Sequence, residues 1–134
     1  MQRSEAEALV GKFYEARMKG DVDSIMDLVA DNFHFHLTGS PEHSQVVVQT
    51  DGSAAFRDAL GLIVGNFAFT NFQVLKMLVD GDSIAHHWRV NVRNPKNGKN
   101  QVTELMDFWT VKDGKIVTMN ETCDTAMAQW MLTN

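Results

Sequence analysis

The stretch from Thr103 to Asp124, TELMDFWTVKDGKIVTMNETCD, limits the possible folds more than any other part of the chain. It reads as two long antiparallel strands joined by a tight turn at Asp113-Gly114. It also holds Asp107 and Glu121 inside otherwise apolar strands. A buried charge is costly unless it is paired or neutralised, so acids usually sit at strand ends and in turns. An acid in mid-strand lies either on a wet face or in a cavity.

Alternation assigns the faces of these strands. Thr103, Leu105, Asp107, Trp109 and Val111 alternate with Glu104, Met106, Phe108 and Thr110. Large apolar groups on both sides imply a strand covered on both sides. One expected cover is a helical layer. The other is a second copy of the chain, giving a homodimer through an outer face that includes Met106 and Phe108. In the last strand Val117, Met119, Glu121 and Cys123 alternate with Ile116, Thr118, Asn120 and Thr122. In the strand before this stretch, Ser83 to Arg93, the face Ile84, His86, Trp88, Val90 and Val92 is the apolar one, which sets His86 in an apolar environment.

The rest of the chain supplies the helices and the other strands. A capping-box spacing at Ser4 and Glu7 starts a first helix. Its apolar stripe is Ala6, Leu9, Val10 and Phe13, flanked by Tyr14 and Met18, and Gly20 ends it. Asp21 caps a short second helix with Ile25, Leu28 and Val29 on its apolar side. Phe33 to Leu37 alternates strictly as a half-buried strand, with His34 and His36 on the other face. Residues 38–51 read as a loop with one short edge strand near Val46 to Val48. Ser53 caps a third helix that buries Phe56, Leu60, Ile63 and Val64. The period then changes to two, with strands over Phe72 to Val79, Ser83 to Arg93, Gln101 to Val111 and Lys115 to Cys123. Asp80-Gly81-Asp82 is a turn, NPKNGKN from Asn94 to Asn100 is a polar hairpin loop, and Asp124 caps a last short helix. Helices first and a curled antiparallel sheet after make an α+β fold. The sheet must wrap the helices to bury their stripes.

The totals set outer limits. A chain of 134 residues is expected to be one domain, residues 1–134, with a core that needs no staples. A net charge of −5 argues against nucleic acid as a partner. The single cysteine excludes an internal disulfide and fits a reducing compartment. The N-terminus MQRSEAEALV does not read as a secretory signal, and no apolar run approaches the roughly 20 residues of a membrane span. A cytoplasmic protein with no membrane partner is expected. No glycine-rich phosphate loop is present, and no cofactor is expected.

With GDVDSIMDLVADNFHFH after helix one, DGSAAFRDAL opening helix three and MDFWTVKDGKIVTMNETCDTA at the end, the chain resembles the NTF2-like superfamily, in particular its SnoaL-like and ketosteroid-isomerase-like branch. The resemblance covers nearly the whole chain. It implies a cone-shaped sheet around three helices, a deep pocket at the open end, and frequent dimers. Such proteins include isomerases, epoxide hydrolases, polyketide cyclases, dehydratases and non-enzymatic binding domains, so fold does not fix function. By this resemblance Asp107 falls where ketosteroid isomerases hold a protonated acid against a developing oxyanion. Leu37 stands at the position of their general base and Phe13 at that of their tyrosine, with Tyr14 adjacent. Glu121 matches one acid of the epoxide-hydrolase set. Its other two positions read as Trp88 and Val90, and its water-holding pair as Phe35 and Leu37. Arg89 would match only after a one-residue shift, and Asn91 would then stand in place of the second acid. Neither set is complete.

On the inward assignment, Asp107, Glu121 and His86 converge on a cavity walled by Phe13, Tyr14, Phe33, Phe35, Phe56, Trp88, Leu105, Trp109 and Met119. Desolvation and a neighbouring acid raise a carboxyl pKa there. A protonated Asp107 could donate to an enolate or carbonyl oxygen while Glu121 or His86 moves a proton. This gives acid–base chemistry of the isomerase, cyclase or hydratase type on a small apolar carbonyl compound. The alternatives are a structural His86–Asp107 pair with Glu121 at a wet rim, in a ligand-binding domain without catalysis, or a dimerisation domain. His34, His36 and His43 read as surface histidines rather than metal ligands. Cys123 reads as a small core residue.

Overall fold

The structure is a computed structural model that describes residues 1–134. Its elements in chain order are α1 (Arg3–Lys19), α2 (Val22–Met26), β1 (Val29–Leu37), β2 (Val48–Asp51), α3 (Ser53–Asn66), β3 (Ala68–Asp80), β4 (Ser83–Arg93), β5 (Asn100–Lys112), β6 (Lys115–Thr122) and α4 (Thr125–Met131). The six strands form one curved, unclosed sheet in the order β2-β1-β6-β5-β4-β3. All neighbours are antiparallel except β1 and β6, which run parallel. This is the α+β architecture that the sequence predicts, with the one parallel joint added.

Helix α1 lies in the sheet because its buried positions, Ala6, Val10, Phe13, Tyr14 and Arg17, recur every three or four residues and so share one face. The cap differs from the expected Ser4/Glu7 box. The helix starts two residues earlier, and the Glu5 carboxylate accepts from the Gln2 backbone N–H at 3.4 Å. At the far end Gly20, with φ of 68°, turns the chain into the left-handed region and donates to the carbonyls of Ala16 and Arg17. Asp21 then caps α2 through Ser24 N, 3.1 Å away, as expected.

Several boundaries shift. Val29, expected on α2, opens β1, which runs four residues longer than the strictly alternating part. The edge strand is Val48–Asp51 rather than Val46–Val48. Ser53 is the first residue of α3, and its N-cap is Gly52, with no side-chain hydrogen bond. Of the expected buried side of α3, Phe56 and Leu60 are buried, while Ile63 and Val64 are half-buried. Strand β3 begins at Ala68, four residues before the expected start. It carries register irregularities near Asn71, whose φ is +57°.

The hairpin between β5 and β6 turns at Asp113 and Gly114, with φ of 53° and 76°. Two positive φ angles match the right-handed twist of the flanking strands. A register shift between Thr110 and Val111 pairs Val111 with Ile116 and Thr110 with Thr118. That extra residue turns Ile116 inward, against the alternation expected from the sequence, and it is fully buried.

Candidate functional site

One row of residues runs across the inner face of the sheet. Met77 on β3 pairs with His86 on β4, His86 with Asp107 on β5, Asp107 with Glu121 on β6, and Glu121 with Leu37 on β1. Directly opposite residues have Cβ atoms roughly 5 Å apart. Register alone therefore brings His86, Asp107 and Glu121 together. Tyr14 reaches the row from α1. Its hydroxyl donates to Asp107 Oδ2 and stands 3.3 Å from Glu121 Oε2. The phenol ring is fixed by stacking on Phe72, 4.4 Å between centroids, and by Trp88 at 4.5 Å.

These groups hold protons in an order set by burial. Desolvation is the largest effect on Asp107 and raises its carboxyl to about 6, against hydrogen bonding from Glu121 and Tyr14, which favours the charged form. The indole N–H groups of Trp88 and Trp109 pull the same way without reaching hydrogen-bond geometry. Glu121 is raised well above the usual glutamate range by desolvation first, then by the Asp107 charge and by hydrogen bonding to it. Tyr14 is raised well above 10 by burial and then by the two acids, so it stays a donor. The two carboxyls thus titrate as a pair, and burial together with their mutual repulsion favours a shared proton over two charges.

His86 does not form an ion pair at neutral pH. Burial lowers it to about 4, so the ring is neutral. Its Nε2 is 3.2 Å from Asp107 Oδ2, but neither ring nitrogen has a hydrogen-bond partner. It packs edge-on against Trp109, 5.4 Å between centroids.

Beside this row lies a cavity of about 250 Å³, bounded by the inner sheet face, α3, the segment before β2, and α4. Its wall is mainly apolar and includes Leu62 and Ile63 of α3, Phe69 of β3, Leu105 of β5 and Met127 of α4. Two charged residues line it, Glu121 and Arg17. Among the residues read from the sequence as the site, Glu121 and Leu105 are on this wall. Asp107 and His86 are buried one and two strands behind Glu121. Phe13, Tyr14, Phe33 and Phe35 belong to the packed core instead of the cavity wall, as do Phe56, Trp88, Trp109 and Met119. Cys123 lines the cavity, and burial, with Glu121 and the other acids nearby, pushes its thiol up to about 12. It is not a thiolate at neutral pH.

Arg17 was not among the expected site residues. It is only 4% exposed, and its guanidinium lies 3.7 Å from the centroid of the Phe69 ring. Its Nη2 donates to the Phe67 carbonyl at 2.5 Å. Desolvation lowers its pKa to about 10, with Glu121 opposing, so it remains a cation. The signal was present in the sequence. Arg17 follows Val10, Phe13 and Tyr14 by seven, four and three residues, which is the stripe, whereas Met18 is exposed. His34 and His36 lie on the half-buried face of β1, and no cluster of three metal-ligating side chains forms.

Comparison with known proteins gives the chain its family. No curated protein matches the sequence. Among solved structures, a provisionally named isomerase from Rhodopseudomonas palustris superposes with a TM-score of 0.80 at 13% identity, covering 97% of this chain and 96% of that one. A provisionally named polyketide cyclase from Xanthomonas campestris pv. campestris gives 0.76 at 20% identity, covering 98% of each. An LEH-like epoxide hydrolase from M. tuberculosis gives 0.74 at 15% identity, covering 95% and 90%. At these identities the likeness is one of fold. The family model of the SnoaL-like domain matches residues 10–119, most of the chain, and the protein belongs to that family, within the NTF2-like superfamily.

Proposed function

We propose that the protein binds a small, largely apolar carbonyl compound in its cavity and exchanges a proton with it through Glu121. The observation that carries this reading is the position of Glu121, an acid on a mainly apolar cavity wall whose burial favours its protonated form. A neutral carboxylic acid can donate its proton to a carbonyl oxygen while solvent water takes the proton from the adjacent carbon, and the reverse step returns a solvent proton to that carbon and the oxygen-bound proton to Glu121. Asp107 and Tyr14, hydrogen-bonded behind it, tune and hold that proton and need no contact with the substrate. In this respect the roles of the two acids are the reverse of those expected from the sequence. The chemistry is of the isomerase, cyclase or hydratase type and uses no cofactor. Solved structures named as an isomerase, a polyketide cyclase and an epoxide hydrolase support a small-molecule enzyme without choosing among reactions.

The test is proton exchange in D₂O, followed by NMR at the carbon next to the carbonyl of small ketones and aldehydes. The parent is expected to catalyse exchange, and Glu121→Gln to lose it by roughly 100-fold or more. Full exchange by Glu121→Gln would exclude Glu121 as the proton-transfer group. Binding without exchange in the parent would leave a ligand-binding domain without catalysis.

A separate observation favours a homodimer. Leu78, Val102, Met106 and Phe108, on the outer face of the sheet, are each about half exposed or more. A second copy covering Met106 and Phe108 would bury this surface, and sedimentation equilibrium returning a monomer mass would refute it.

A further inference from the structure

Arg17 takes no part in the proton exchange proposed above, yet burial makes it the most demanding group on the cavity wall. Its Nη2 is used by the Phe67 carbonyl, which ties α1 to the start of β3. Its Nη1 is shut off from solvent and has no hydrogen-bond partner. It joins none of the molecule's ion pairs. A buried guanidinium without a counter-ion is costly, and a structural tie to one carbonyl leaves that cost standing. The acid that shares the wall with it, Glu121, makes no ion pair with it, and desolvation raises the Glu121 carboxyl well above the usual glutamate range.

We propose that Arg17, on the wall of the cavity, is an anion anchor, and that the ligand is a small monocarboxylic acid with an apolar body. A planar carboxylate matches the fork of a guanidinium, and the pairing is strongest where water is excluded. The apolar body then lies along Leu62, Ile63, Leu105 and Met127. One cation, with no lysine or second arginine on the wall, suits a single negative charge and not the double charge of a phosphate monoester. The assignment deepens the proposed function and rests on the same cavity being the ligand site. It narrows the substrates to carbonyl compounds that also carry a carboxylate.

The experiment compares hexanoate with hexanamide by isothermal titration calorimetry, on the parent and on Arg17→Met and Arg17→Lys. In the parent, hexanoate is expected to bind roughly tenfold tighter or more than the amide. That preference should vanish in Arg17→Met and persist, weakened, in Arg17→Lys. If Arg17→Met does not fold, the guanidinium NMR resonances of the parent provide the second readout. They should shift with hexanoate and not with hexanamide. Equal binding of acid and amide in the parent overturns the anchor and leaves the cavity as the ligand site. Binding of neither overturns the anchor and the cavity reading together.

Discussion

At the scale of single residues, the buried row makes stability depend on pH through opposing groups. Asp107 is raised from 3.8 to about 6, so folding favours its protonated form. Its contribution is full below pH 3.8 and is lost as pH rises through 6. At about 1.4 kcal/mol per unit, that loss is on the order of 3 kcal/mol. His86 is lowered from 6.5 to about 4, so its contribution is full above 6.5 and is lost as pH falls through 4. The two nearly cancel between pH 4 and 6. Glu121, raised well above 4.5, continues to lose stability as pH rises past the range where the others balance. Glu121→Gln is therefore expected to gain stability relative to the parent between pH 5 and pH 8, because the variant has no carboxyl to ionise as pH rises. Urea titrations of both proteins at the two pH values would show this. A parent that gains on the variant between the two would mean that Glu121 is charged and paired at pH 8. The sequence disclosed Asp107, Glu121 and His86 because each interrupts an apolar alternation. It did not reveal which of the three would meet the cavity, since that depends on how α1 and α3 fill the cone. Arg17 escaped because a long cationic side chain reads as a surface residue unless its place on the stripe is counted.

Among elements, α4 shows how a short segment is held in place. Seven residues do not form a stable helix alone. Its start is capped by Asp124, which accepts from Met127 N at 2.9 Å. Its end is gripped by the loop between β4 and β5. Asn94 and Asn97 each donate to the Met131 carbonyl at 2.8 Å, and Lys99 donates to the Trp130 carbonyl at 2.9 Å. These bonds satisfy carbonyls that a helix end leaves without partners. Since α4 carries Met127 and Ala128 of the cavity wall, the loop also shapes the pocket. Asn94→Ala is expected to cost about 1 kcal/mol or more, because it removes a buried hydrogen bond to the Met131 carbonyl and takes away the acceptor of the Lys96 N–H. Amide exchange should quicken in 125–131 before it does in the strands. Uniform quickening across the sheet would show that α4 is not a separately held unit. The strands, the turns and the cap of α4 were legible, since each follows from local alternation or a local cap. The grip of NPKNGKN on α4 was not, because its bonds join residues more than 30 apart in sequence.

For the molecule as a whole, the sheet has one face filled by helices and core and another with Leu78, Met106 and Phe108 open to solvent. If a second copy covers that face, Phe108→Glu should raise the dimer dissociation constant by roughly 100-fold or more, the loss set by burying an unpaired charge. Light scattering on fractions from gel filtration would read it, and an unchanged dimer would move the interface elsewhere. The mixed pattern on both faces of β5 made the apolar character of the outer side legible, whereas the parallel joint between β1 and β6 has no sequence signal, because strand alternation looks alike in either direction. That joint bears on how the protein is made. Strand β1, carrying Phe33 and Phe35, leaves the ribosome well before its neighbour β6, with β2, α3 and three further strands made between them. Until then β1 can pair only with the four residues of β2. The aromatic side chains of β1 must therefore wait until the β5–β6 hairpin has been made before the sheet can close over them, and completion of the core follows the synthesis of β6.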